Sequence, residues 1–102
     1  MTTQAKSTDS SIAWQCDSFA DLSPGDVYAA LQLRQIVFIL EQKCIYLDAD
    51  NSDQKASHLL GWKTGTDWRR LVAYARLFPP RIKYAEASIG RVITHPAVRG
   101  TD

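Results

Sequence analysis

Residues 87–102, ASIGRVITHPAVRGTD, hold the arrangement that most suggests chemistry. Ser88–Thr94 is apolar and β-branched, which suits a strand. His95-Pro96 ends it, because proline lacks an N–H and restricts the residue before it. Val98-Arg99-Gly100-Thr101 then reads as the start of a phosphate-holding turn. A strand that runs into a Gly-bearing turn and a helix N-terminus binds pyrophosphate because free backbone N–H groups point at the anion. Four side chains are candidates for a general base: Glu41, His58, Glu86 and His95. His95 sits at the end of the strand and Glu41 in FILEQ at the end of a helical pattern. Their plain readings are a surface residue before proline and a solvated helix-end charge.

These residues need elements to position them. Residues 1–11 are a polar tail, and 12–16, IAWQC, alternate as a short first strand. Ser23-Pro24-Gly25-Asp26 is a helix start, with Ser at the N-cap and Pro at the first helical position. The helix should run to about 40–42, with Val27, Leu31, Leu33, Ile36, Val37 and Leu40 on a broad buried face that Arg34 interrupts. Residues 43–57 read as a loop, and 58–63 and 70–78 as an antiparallel hairpin joined by the turn Thr64-Gly65-Thr66-Asp67. Pro79-Pro80 ends the third strand and Ser88–Thr94 is the fourth. The order β, α, β, β, β gives an α+β fold, a four-stranded antiparallel sheet with helix packed on one face.

Bulk properties narrow the classes. A chain of 102 residues with 45% apolar content is one small domain. A net charge of +1 gives no global pull toward nucleic acid or membrane, and no apolar run is long enough to span a bilayer. Arg69, Arg70, Arg76, Arg81 and Lys83 are scattered by strand alternation, so they read as charged strand edges rather than a nucleic-acid face. Cys16 and Cys44 read as reduced thiols of a cytoplasmic protein. The acidic stretch Asp48, Asp50, Asp53 fails as a calcium loop, which needs Gly where Asp53 stands and Glu where Leu59 stands. It reads as a solvated loop, and no metal is expected.

Four segments, YAALQLRQIVFILEQKCIYLDAD, HLLGW, LVAYARLF and IGRVITHPAVRG, occur in the order seen in the ElaA-like branch of the GNAT superfamily, the acetyl-CoA-dependent N-acetyltransferases. The resemblance runs from Trp14 to Thr101 and covers the first half of the family's fold, and it implies a bend in the helix near Arg34 and Gln35. It implies transfer of acetyl from acetyl-CoA to a primary amine, on a small molecule or a peptide, by direct attack. It implies that Val92, Ile93 and Thr94 offer backbone groups to the pantetheine arm, with a bulge in that strand that Gly90 would permit. It makes Arg99, Gly100 and Thr101 the opening of the pyrophosphate turn, in the pattern Gln/Arg-x-x-Gly-x-Gly/Ala, with Asp102 where the first required Gly should stand. Glu41 and His95 become the candidates to take the amine's proton, and the acidic loop a lure for a cationic acceptor.

On this reading the chain is a truncated N-terminal half, expected to bind acetyl-CoA weakly or not at all and to be inactive alone. It is also expected to form a homodimer through the strand Ser88–Thr94. The alternative is a non-catalytic GNAT-like remnant that self-associates or binds a partner.

Overall fold

Ser23 has an extended backbone, and its Oγ accepts a hydrogen bond from the Asp26 N–H at 3.0 Å. Pro24 occupies the first helical position, where a missing N–H costs nothing. Helix α1, Pro24–Arg34, starts there as its sequence predicts. The structure, a computed structural model, describes residues 12–99. The helix changes character after Arg34, where it widens into a π-helical segment, Gln35–Glu41, with Gln42 N–H donating to Val37 O at 2.9 Å. The wider turn shifts the phase of the apolar positions. Leu33 and Val37 are buried, whereas Leu40, expected on the same face, is 66% exposed. Lys43 then takes a left-handed φ of 61°, and Cys44 N–H closes the end onto Phe38 O at 2.7 Å.

Strands β1 (Ile12–Ser18), β2 (Ser57–Thr64), β3 (Arg69–Phe78) and β4 (Ser88–Thr94) form one antiparallel sheet in the order β1-β2-β3-β4. One face carries Leu60, Trp62, Leu71, Tyr74 and Ile93 against Ala30, Leu33 and Val37 of the helix. On the other face the Trp14 ring lies across Gly61, where a Cβ would come within 2.7 Å of it. Register shifts interrupt the β2–β3 and β3–β4 pairings. Across β3 and β4, Tyr74 faces Ile93 and Arg76 faces Gly90, so Ala75 stands opposite both Arg91 and Val92. This is a bulge, with Arg91 at φ 52°. The bulge lies where the family resemblance implies one, but its left-handed residue is Arg91, while Gly90 stays outside that region.

The loop 43–57 is largely exposed, but two of its acidic side chains are not solvated as its composition suggests. Asp48 and Asp53 are buried, and so are Arg34 and Arg76. Arg34 Nε donates to Asp48 Oδ2 at 2.7 Å and its Nη1 to Asp53 Oδ1 at 3.0 Å. Arg76 Nη1 donates to Asp50 Oδ1 at 2.8 Å and to Asp53 Oδ1 at 2.9 Å. Arg91 Nε donates to Asp48 Oδ1 at 2.8 Å. The arginine that interrupts the apolar helix face and one arginine of the basic run are therefore among the partners of the acidic loop. Desolvation would make each charge costly alone, and mutual pairing offsets it. Arg76 holds the Asp50 carboxyl well below its usual range. Among the described residues no helix is long and apolar enough to cross a membrane.

Candidate functional site

The end of β4 gathers residues from three parts of the chain. Arg99, just past the short turn Pro96–Val98, pairs with Glu41 at the end of the π-helical segment, 58 residues earlier. The same guanidinium donates through Nε to Thr94 Oγ1 at 3.1 Å and through Nη2 to the Thr94 carbonyl at 2.6 Å. Its fork spans two elements at once, which suits Arg and not Lys. His95 N–H donates inward to Val72 O at 2.7 Å. Strand alternation therefore turns the Thr94 backbone to the outer edge, where its carbonyl meets Arg99. Among the described residues no strand pairs with that edge.

Successive side chains at this strand end face opposite sides. Thr94 lines a groove of about 350 Å³ with Trp14, Val72, Ala73 and Val98 on the face away from the helix. His95 lines a second hollow of about 190 Å³ with Gln32, Leu33, Ile36, Trp62 and Arg70 on the helix side. The strand end thus stands between two concavities, an arrangement that lets two reactants approach from opposite sides.

The electrostatics are local. The Arg99 hydrogen bond holds the Glu41 carboxyl below its ordinary value. Partial burial, and then Arg70 and Arg99, hold the His95 imidazole below its own. His95 Nδ1 accepts from the Ala97 N–H at 3.0 Å, so in the neutral ring the hydrogen is assigned to Nε2.

Of the sequence candidates, Glu41, Thr94, His95 and Arg99 come together. Val92 is exposed at the bulge, and Ile93 is buried against the helix. Gly100 and Thr101 lie outside the described residues, as do the polar tail and Asp102. His58 is elsewhere, buried between Tyr74 and the Asp53 carbonyl. Glu86 is exposed in the β3–β4 link. Sequence reasoning missed Arg70 beside His95 and Arg91 at the bulge. No group of His, Cys, Asp or Glu among the described residues is arranged to hold a metal.

The outer edge of β4, with the Thr94 backbone turned toward it beside a groove, fits an extended amide chain that pairs as a further strand would. Comparison with known proteins bears on that fit. No family model matches the chain. It is 47% identical over 89 residues to a UPF0039 protein of Synechocystis sp. and 43% identical over 91 residues to Protein ElaA of Escherichia coli. Its fold superposes on the crystal structure of an acyl-CoA N-acyltransferase from Pseudomonas aeruginosa with TM-score 0.79 and 41% identity, over 88% of this chain and 60% of that one. The crystal structure of Escherichia coli ElaA gives TM-score 0.78 and 42% identity with the same coverage. The chain belongs to the ElaA-like branch of the GNAT superfamily. As a GNAT chain it has an antiparallel sheet with a helix on one face, part of the acyl-CoA N-acyltransferase fold. Each alignment covers 87% of this chain, which spans about half the length of these curated relatives, 56% and 57%.

Proposed function

We propose that this chain supplies the donor-binding strand and a proton acceptor for an N-acyltransferase that moves acetyl from acetyl-CoA to a primary amine, on a small molecule or a peptide. The observation that carries the reading is the meeting of Glu41, Thr94 and Arg99 at the end of a bulged edge strand. Acetyl-CoA supplies the activated acyl group. The outer edge of β4 at Val92, Ile93 and Thr94 would hold its extended arm, and Arg99 with Gly100 and Thr101 its pyrophosphate. The amine arrives protonated and must lose a proton before its lone pair forms the new C–N bond; the thioester C–S bond then breaks, and coenzyme A leaves as its thiol with the second proton that the nitrogen gives up. Glu41 takes that proton, directly or through water. A phosphate competes with Glu41 for the Arg99 guanidinium. Donor binding then frees the carboxylate, whose affinity for a proton rises once the arginine leaves. His95, with Nδ1 engaged by Ala97, presents Nε2–H and serves as proton acceptor only when that bond opens.

The test is titration of the isotopically labelled chain with acetyl-CoA, followed by amide chemical shifts. The expected result is movement centred on Val92, Ile93, Thr94 and Arg99. No movement up to millimolar ligand, or movement elsewhere only, overturns the reading.

A second reading is favoured by Ile89 and Val92, exposed by 66% and 68% on the edge strand. Under it the chain is a non-catalytic module that self-associates as a homodimer through β4.

A further inference from the structure

Among the described residues, the ion-pair network under the sheet reaches β4 at one point, Arg91. That residue has φ 52°, a region where a Cβ meets the chain's own carbonyl and which glycine ordinarily fills. A bulge of this type usually carries glycine at its left-handed position, and here an arginine stands there beside a glycine that does not use the conformation. The side chain shows what compensates. Arg91 Nε donates to Asp48 Oδ1 at 2.8 Å, and Nη2 donates to the Asp48 carbonyl at 3.1 Å and to Asp50 Oδ2 at 3.3 Å. Asp48 cannot follow a moving partner. Its other carboxylate oxygen is held by Arg34 Nε at 2.7 Å and its carbonyl by Arg34 Nη2 at 2.8 Å, and it is 7% exposed. Helix, loop and bulge are thus tied through one buried carboxylate.

We propose that the Asp48–Arg91 ion pair holds the bulge in β4 and that Arg91 is thereby a positioning residue for the strand edge that receives the acyl donor. The functional half rests on the acyl-transfer reading above. The physical link is the register. With Ala75 opposite both Arg91 and Val92, one residue of β4 lies outside the ladder and the strand stands away from its neighbour there. A regular β4 must slip one of its halves by a residue and turn that half's side chains over. Ile93 in the core and the His95–Val72 hydrogen bond anchor the downstream half, so the slip falls on Ser88, Ile89 and Gly90. It closes the opening next to Val92.

Two variants at one position separate this role from a direct contact between Arg91 and ligand. Arg91→Ala removes the ion pair and leaves a Cβ in the left-handed position. Arg91→Gly removes the ion pair and the penalty together. Arg91 is at the rim of the network, its side chain 19% exposed, so both changes leave the buried Arg34 pairs in place. The readouts are cross-strand proton contacts and titration with coenzyme A. In the wild type and in Arg91→Gly, Arg76 faces Gly90 and coenzyme A affinity agrees within about twofold. In Arg91→Ala, position 76 faces position 91 and affinity falls about tenfold, the equivalent of the cost of one left-handed side chain. Retention of the bulge by Arg91→Ala overturns the proposal. So does an equal loss of affinity in both variants, which would make Arg91 a ligand contact. Absence of any coenzyme A response in the wild type overturns the acyl-transfer reading, and the register comparison then still decides whether the pair holds the bulge.

Discussion

Tyr74 donates its phenolic hydrogen to Nδ1 of His58 at 2.6 Å, 16 residues away in sequence, while His58 Nε2–H donates to the Asp53 carbonyl at 2.8 Å. Both ring nitrogens are spoken for in a single neutral tautomer. Burial holds His58 below its ordinary 6.5 and pushes Tyr74 up to about 12. The unfolded chain therefore binds a proton at His58 more readily than the folded one, so stability rises with pH across that window. The contribution is complete above 6.5 and is lost as pH falls toward the lower folded value. Asp50, held below its ordinary 3.8 first of all by Arg76, adds a separate loss only below that value. Urea unfolding at a series of pH values should show a fall in stability beginning near neutrality, well before the carboxylates titrate. In His58→Gln that early fall should shrink to the part that His95, also held below 6.5, contributes, with lower stability at pH 8. An unchanged pH profile in the variant would place the sensitive group elsewhere.

Arg34 is the centre of the buried network, 1% exposed, with Asp48 and Asp53 as partners. Replacing it by Met keeps most of the aliphatic stem and removes the charge. Two buried carboxylates then lose a shared cation, which should cost about 3–5 kcal/mol. A shift of less than about 1 kcal/mol in denaturant unfolding would mean that water reaches the network freely.

Ser23 offers a smaller and cleaner effect. Its Oγ accepts from the Asp26 N–H at the first turn of α1. Ser23→Ala should lower stability by about 0.5–2 kcal/mol, and Ser23→Gly by only a few tenths. Equal midpoints for wild type and Ser23→Ala would remove the cap from the account.

The sequence reading succeeds where the signal is local. Ser23-Pro24 starts the helix, and Pro79-Pro80 and Pro96 end strands, because each acts on its own backbone. The observed strands therefore lie within two residues of the expected ones, and β4 coincides. The site is partly legible: residue types and the family resemblance single out Glu41, Thr94, His95 and Arg99, but nothing in their spacing shows that Arg99 bonds both Glu41 and Thr94. What failed to show is what depends on partners far along the chain. Asp48 and Arg91 are 43 residues apart, and Asp53 and Arg76 are 23 apart. An acidic loop and an arginine inside an apolar face each look like defects until they are paired. The π-helical turn leaves no mark either, because Leu33, Val37 and Leu40 fit a regular helix on spacing alone.

β4 is the edge on which the two functional readings compete. It carries no neighbour on its outer side among the described residues, and it exposes Ile89 and Val92. An apolar edge with unpaired backbone groups templates pairing with another chain. Two copies related by a two-fold axis would satisfy both edges at once by pairing β4 with β4, and closed two-fold symmetry is the commonest arrangement of identical chains. Sedimentation at high micromolar concentration should then show a homodimer, and Ile89→Lys should weaken it, because lysine on an edge opposes pairing. A monomer at that concentration ends the proposal, and a dimer that survives Ile89→Lys moves the interface off this strand. The same edge is the one assigned to the acyl donor, so ligand and partner exclude each other. Coenzyme A should shift the dimer toward monomer if both readings describe β4, with the dependence on protein concentration that mass action requires. A dimer that binds coenzyme A without dissociating would separate the two surfaces, leaving β4 to the donor and placing self-association on another face.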